Sequence, residues 1–267
     1  MNLSKAQLAR LFSRCLDPAL GLTLAGQTVK LWLFIQSCLG VIFIAPLFGQ
    51  SRFVSVEGTE GAGKSVFTAA LAAMIRACGA EVVTTREPGG TLVADQIRAL
   101  FASPPPGESL TPTAEALLVS AARAQHLEYL IRPALARGAW VICDRFADST
   151  RVYQGTLGGL PSADLEALIA FSTAGQVPDL TFILDCPVAL AAVRLQQRLS
   201  TAEDDAIGDS VERYDQAPAP MHERMRQGFL AVLAANPGRC VRLDASLTPE
   251  QLLGVAWVAM EERFGRN

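Results

Sequence analysis

From Arg52 to the carboxyl end, short apolar runs alternate with stretches of helical periodicity, and this alternation restricts the fold more than any other feature of the 267-residue chain. Phe53–Val56, Glu81–Thr85, Trp140–Cys143, Leu180–Leu184 and Cys240–Leu243 read as strands, being short and largely apolar. Helical periodicity covers Lys64–Cys78, Leu92–Phe101, Thr113–Ala136, Ala163–Thr173, Val188–Leu199 and Pro249–Phe264. Strands that are apolar at successive residues must be covered on both faces, and parallel neighbours need a crossover between them. The pattern therefore predicts an α/β domain, a five-stranded parallel sheet with helices on both faces. Ser103–Thr113 reads as a loop by its prolines, and Ser200–Asp209 as a mobile segment that is acidic at Glu203, Asp204 and Asp205.

With 50% hydrophobic and 18% charged residues, the chain can bury a sizeable core, which excludes a disordered or fibrous protein. Its 23 basic and 26 acidic residues give a net charge of -3, so there is no broad basic footprint and no nucleic-acid partner is expected. Any polyanion must be held at a local site. The six cysteines, at 15, 38, 78, 143, 186 and 240, are far apart and contain no C-x-x-C pair, which argues for reduced thiols rather than disulfides or a zinc site.

Such a local site follows the first strand. Gly58-Thr59-Glu60-Gly61-Ala62-Gly63-Lys64-Ser65 matches G-x-x-x-x-G-K-[ST] and opens directly onto a helical stretch, the strand–turn–helix context this P-loop pattern requires. A chain of this length contains the pattern by chance only about once in a hundred. Glycines let successive N–H groups face a phosphate, the helix amino end adds positive potential, and Lys64 reaches the outer phosphates. Ser65 is placed to hold Mg2+ through its hydroxyl. A P-loop specifies a nucleotide and leaves the acceptor open.

Five ordered blocks bear on the acceptor: EGTEGAGKS at 57–65, TREPGGT at 85–91, AARAQ at 121–125, DRFADSTRVYQG at 144–155 and PDLTFILD at 178–185. Together they resemble the thymidylate kinase family, in the bacterial form whose catalytic arginines lie in the lid, from about Phe53 to the carboxyl end. The resemblance implies a P-loop nucleoside monophosphate kinase fold, ATP as donor, dTMP as acceptor, Mg2+ as cofactor and a homodimer. Phosphoryl transfer needs positioning and neutralisation of phosphate oxygens more than general bases. Accordingly Arg86, Arg123, Arg145 and Arg151 lie in the blocks and Arg194, Arg198 and Arg213 follow them, whereas the blocks contain neither His126 nor His222.

By the same resemblance, Arg145 binds the acceptor phosphate and Asp144 supports Mg2+. Glu60 contacts the sugar 3′-hydroxyl or the metal shell, Arg123 contacts the monophosphate, and Ser149, Tyr153 and Gln154 surround the base. Arg194 and Arg198 are four residues apart on one helix face, so lid closure over about residues 194–214 would bring both onto the transferring group. Each has a plainer alternative: a surface ion pair for Asp144 and Arg145, an outward side chain for Glu60, a helix-surface ion pair for Arg123, ordinary core for Tyr153, and a solvated basic face for the lid arginines.

Four departures qualify the resemblance. Val119 stands four residues before Arg123, where the family usually has an aromatic; it can cover a base face but not stack on it. Val66 replaces a usual threonine, the lid carries Glu203-Asp204-Asp205, and Arg151 occupies a commonly neutral position. These keep two alternatives open: a kinase for another deoxynucleotide, and a nucleotide-binding protein impaired in transfer.

Residues 1–50 have no counterpart in the family core. Lys5, Arg10, Arg14 and Lys30 precede the apolar run Leu31–Phe48, which has about the minimum length for a membrane span but contains Gln36, Gly40 and Pro46. It begins too late for a signal peptide. A span with basic residues on its amino side would export the ATP-using domain, so a cytoplasmic protein is expected. Three readings remain for 1–50: a non-core extension, including a start site placed too far upstream; a membrane-associated helix; or a helix packed on the kinase domain of 51–267.

Overall fold

The computed structural model describes residues 50–102, 107–201, 214–215 and 217–265. The apolar run Leu31–Phe48, the acidic residues Glu203–Asp205 and Arg213 lie outside the described residues. Among the described residues, no helix is long and apolar enough to cross a membrane.

The chain runs β1 (Phe53–Gly58), α1 (Lys64–Ala77), β2 (Val82–Arg86), α2 (Leu92–Ala102), α3 (Pro112–His126), α4 (Arg132–Ala136), β3 (Trp140–Asp144), α5 (Ala147–Thr150), α6 (Ser162–Thr173), β4 (Leu180–Asp185), α7 (Val188–Thr201), α8 (Ala219–Ala235), β5 (Cys240–Asp244) and α9 (Pro249–Phe264). The five strands form one sheet in the order β2-β3-β1-β4-β5, with every pairing parallel. Every residue of β1 and of β4 is buried, as uninterrupted apolar runs require. Val56 pairs with Asp144 and Gly58 with Leu184, so the carboxyl ends of β1, β3 and β4 end level with one another. The connection that leaves β1 runs toward the β2 edge of the sheet and the one that leaves its neighbour β4 runs toward β5, and ligands of open α/β sheets bind at such a switch point.

Aromatic packing fixes the layers around the sheet. Phe67 of α1 meets Phe182 of β4 edge to face at 5.6 Å, and Phe53 of β1 meets Phe146 just beyond β3 at 4.9 Å. Trp140 meets Phe264 of α9 at 5.6 Å, which anchors the last helix. Burying each such ring contributes about 1.5–3 kcal/mol. Thr248 caps α9 in a reciprocal pair with Gln251.

Two local outcomes depart from simple periodicity. The helix expected over Thr113–Ala136 is α3 and α4 joined by a π-helical turn, Leu127–Ile131. Pro133 has no N–H to give to the Tyr129 carbonyl, and the hydrogen-bond ladder widens there. A second π-helical stretch, Arg151–Leu157, continues α5. No element is expected from sequence over 210–239, yet α8 occupies Ala219–Ala235 and buries His222, Met225, Phe229 and Val232. That spacing of three and four residues is a helix signal, bounded by Pro218 and Pro237.

Candidate active site

The P-loop forms the mouth between β1 and α1. Gly63 has φ 89° and a Cβ there would meet nothing within 4 Å, so glycine is required by its backbone rather than by crowding. At Gly61 a Cβ would lie 2.5 Å from the Ala191 carbonyl oxygen, so α7 rests directly on the loop. Neither a side-chain cap nor an acidic residue occupies the first turn of α1. An anion approaching this helix start would meet no competing side-chain cap and no carboxylate of that turn. Lys64 lies over the loop, its Nζ donating to the Thr59 carbonyl at 2.9 Å.

Ser65 and Asp144 meet across the sheet edge, the hydroxyl donating to Oδ2 at 3.0 Å. The other carboxylate oxygen of Asp144 is buried without a hydrogen-bond partner among the described residues. No cluster of three metal-ligating side chains occurs among those residues. One hydroxyl and one carboxylate with a spare oxygen suit Mg2+, which keeps waters and takes phosphate oxygens rather than a complete protein cage.

Arg145 lies on the other side of the loop. Its φ of 69° is in the left-handed region, and the turn is held by its N–H donating to the Val56 carbonyl at 2.9 Å. The guanidinium folds back on the P-loop: Nη1 donates to the Gly58 carbonyl at 3.0 Å and to Ser149 Oγ at 3.3 Å, and Nη2 to Glu60 Oε1 at 2.8 Å. Tyr153 donates its hydroxyl to the same Glu60 oxygen at 2.5 Å, and its ring lies 5.0 Å beneath the Arg145 guanidinium. Glu60 is 3% exposed, which excludes the outward, solvated alternative, and Tyr153 is buried in the core while bonded to Glu60.

Beneath this group is Glu57, a residue given no role from sequence. Its side chain accepts from the Phe146 N–H at 2.8 Å and from Ser149 Oγ at 2.7 Å. Burial, reinforced by the nearby Asp148 charge, pushes its carboxyl up to about 8. Asp148 is itself buried and accepts from Arg239 at 2.7 and 2.8 Å and from Arg151 at 2.8 Å. Arg151, unusual by resemblance, thus ties Asp148 to Glu166 on α6, at 2.6 and 2.7 Å.

Arg123 is 2% exposed, which rules out the helix-surface alternative. Nε donates to Glu87 Oε2 at 2.8 Å and Nη2 to Thr150 Oγ1 at 2.9 Å, while Nη1 has no hydrogen-bond partner among the described residues. His126 closes the group, Nδ1 lying 3.2 Å from Glu87 Oε1 and Nε2 2.7 Å from Thr85 Oγ1. The motif blocks omit both histidines, but the fold brings them in: His222 of α8 lies 4.0 Å from Glu60. Sequence distance concealed this, because α8 follows the blocks by more than thirty residues. Gln154 is buried and gives its amide to Glu115 of α3 at 3.2 Å, and Val119 is half-buried one turn before Arg123.

Arg194 and Arg198 project from α7. The first has Nη1 3.8 Å from Cys186 Sγ at the end of β4, and the second pairs with Asp215 beyond the lid segment. Asp185, at the end of β4, is raised by burial, but Arg226 and Arg242 outweigh that and hold its carboxyl below the ordinary range. This clamp secures α8 and β5 to the P-loop side of the sheet.

A phosphate loop on the central strand, an arginine turned back onto that loop and a helix of arginines above it define a P-loop kinase of the nucleoside monophosphate class. The thymidylate kinase family model matches residues 56–253, and the chain belongs to that family. It is 42% identical over 200 residues to the thymidylate kinase of Trichlorobacter lovleyi, covering 75% of this chain and 92% of that one. Identity is 43% over 213 residues to the enzyme of Chromohalobacter salexigens, covering 80% and 96%. The solved thymidylate kinase of Ehrlichia chaffeensis superposes with a TM-score of 0.60 at 28% identity, covering 79% of this chain and 99% of that one.

Proposed function

We propose that the chain performs the family's reaction, transfer of the γ-phosphoryl group of ATP to dTMP giving dTDP and ADP, with the following division of roles. An oxygen of the dTMP phosphate attacks the γ-phosphorus, the bond to the β,γ-bridging oxygen breaks, and its electron pair leaves with ADP. The loop Gly58–Ser65 cradles the ATP phosphates, with Lys64 turning from Thr59 to the outer ones. Ser65 and Asp144 hold Mg2+, which supplies neutralisation of phosphate charge when bound.

Arg145 and Arg123 bind the acceptor phosphate, the unpartnered Nη1 of Arg123 being a donor left for it. Glu60 serves the acceptor sugar rather than the metal, since its partners are Arg145 and Tyr153 and not Ser65 or Asp144. Ser149, Tyr153 and Gln154 wall the acceptor cleft, and Val119 covers the base by apolar contact alone. Arg194 and Arg198 neutralise charge on the transferring group when the lid closes.

The observation that carries this reading is the junction at Arg145, whose guanidinium binds both the P-loop carbonyl of Gly58 and the carboxylate of Glu60. Donor loop and acceptor arginine are thereby fixed relative to each other, as in-line transfer needs. The test is ADP release from ATP and Mg2+ with dTMP, dUMP, dCMP, dGMP, dAMP or no acceptor. Turnover restricted to dTMP and abolished by Lys64→Ala and by Arg145→Ala supports the assignment. ATP binding without turnover on any acceptor overturns it.

The unit 51–267 is read as the kinase domain with a lid over about 194–214, and 1–50 as an extension. A homodimer is supported by apolar side chains left exposed on packed helices: Leu92 on α2, Leu117 on α3 and Phe171 on α6 are 88%, 53% and 87% exposed. Light scattering of the wild type and of Phe171→Glu tests this, a dimer converted to monomer being the expected result. Use of ATP and dTMP favours the cytoplasm, and fractionation of the full chain checks it.

A further inference from the structure

Glu60 Oε2 and His222 Nδ1 are both buried, and neither has a hydrogen-bond partner among the described residues. They lie 4.0 Å apart. Glu60 Oε1, by contrast, is fully engaged by Arg145 and Tyr153. Buried polar atoms are seldom left unsatisfied, since each costs the desolvation it does not recover. Two of them 4.0 Å apart beside the P-loop mark a missing group. An oxygen set about 2.8 Å from each would subtend about 90° at itself, close to the geometry at which a hydroxyl donates one hydrogen bond and accepts another.

A carboxylate can only accept, so the missing group must donate to it; the imidazole Nδ1–H then donates to that group in turn. A hydroxyl meets both demands. A phosphate oxygen would face the Glu60 charge, and a methyl group would satisfy neither atom. In dTMP the 5′ oxygen carries phosphate and the 2′ carbon carries no oxygen, which leaves the 3′-hydroxyl as the only one.

We propose that His222 is a specificity-determining contact of the acceptor site, its Nδ1–H donating to the sugar 3′-hydroxyl while that hydroxyl donates to Glu60 Oε2. The inference rests on the placement of the acceptor sugar at Glu60 given above. It adds to the site a residue from α8, an element outside every motif block, and makes the enzyme read the 3′ position through two fixed partners. An acceptor lacking the hydroxyl leaves both partners buried and unpaired, which is the arrangement that discriminates most strongly.

The experiment compares dTMP with 3′-deoxythymidine monophosphate on the full chain, in wild type, His222→Phe and His222→Asn, with thermal melting of each protein. Phe keeps the ring volume and removes the donor; Asn keeps a hydrogen-bonding group near the position of Nδ1. The wild type is expected to prefer dTMP by about ten-fold or more in kcat/KM. His222→Phe is expected to lose about ten-fold on dTMP and less than about two-fold on the 3′-deoxy acceptor, with Asn recovering part of the loss. Equal losses on both acceptors, or an Asn variant no better than Phe, would show that His222 serves only the structure and overturn the proposal. A wild type indifferent to the hydroxyl would instead overturn the placement of the sugar at Glu60, a distinguishable failure.

Discussion

The arginines proposed for the acceptor phosphate and those proposed for the lid are held differently by the fold. Arg145 and Arg123 are 7% and 2% exposed, and their guanidinium groups make hydrogen bonds to Gly58, Glu60 and Ser149 in one case and to Glu87 and Thr150 in the other. On α7, Arg198 has a side chain 45% exposed that pairs with Asp215, and among the described residues Arg194 reaches the Cys186 sulfur, at 3.8 Å. The acceptor arginines are held in place before any ligand arrives. The lid arginines must leave or extend their present contacts to meet a phosphoryl group. Preorganised charge stabilises a transition state without reorganisation at the moment of reaction, whereas recruited charge links the chemical step to closure.

Arg145→Ala is the severest challenge to this contrast. It removes the guanidinium from phosphate and from Glu60 at once, and kcat/KM for dTMP should fall by about 10³-fold or more while the KM for ATP changes little. Steady-state kinetics with each substrate varied in turn would reveal it. Glu87→Ala tests the support beneath Arg123. It leaves an arginine 2% exposed without its carboxylate, and unfolding by denaturant should show a loss of about 3–5 kcal/mol. A loss below about 1 kcal/mol would mean that Arg123 is not held as tightly as its burial implies.

Arg198→Ala sharpens the other half. Its effect should fall on kcat, by about 10²-fold, with dTMP affinity and thermal stability near those of the wild type. The smallest expected effect concerns Glu57. Its carboxyl is raised from 4.5 to about 8 in the folded protein, chiefly by burial, so the native state holds a proton that the unfolded chain releases. Stability from this group is full below pH 4.5, declines as pH rises, and is lost on passing about 8. Glu57→Gln, which cannot titrate, should flatten the fall in Tm between those limits.

The sheet is readable because uninterrupted apolar strands and glycine-bounded helices leave strong local signals; the bounds of each expected strand lie within two residues of an observed one. Ser65 and Asp144, both expected beside the phosphates, lie 3.0 Å apart although 79 residues separate them. What escaped was the second layer. Glu57 lies one residue before the P-loop pattern and has no spacing that distinguishes it from a strand residue. Glu87 and His126 acquire a role only by meeting at Arg123, which no periodicity reports. His222 is hidden for a different reason, since α8 carries an ordinary amphipathic repeat with no chemical motif of its own. The π-helical turn at Leu127–Ile131 follows from Pro133, and a single-residue shift of this kind falls below the resolution of a helical period.

Calorimetric titration of dTMP into the full chain without ATP addresses the central contrast most directly. If the acceptor side is preformed and the lid side recruited, dTMP binds the wild type and Arg198→Ala with the same affinity, and binds Arg145→Ala at least about ten-fold more weakly. Weakening by Arg198→Ala equal to that by Arg145→Ala would contradict the account, because it would place the lid arginine in the acceptor site before the donor has bound.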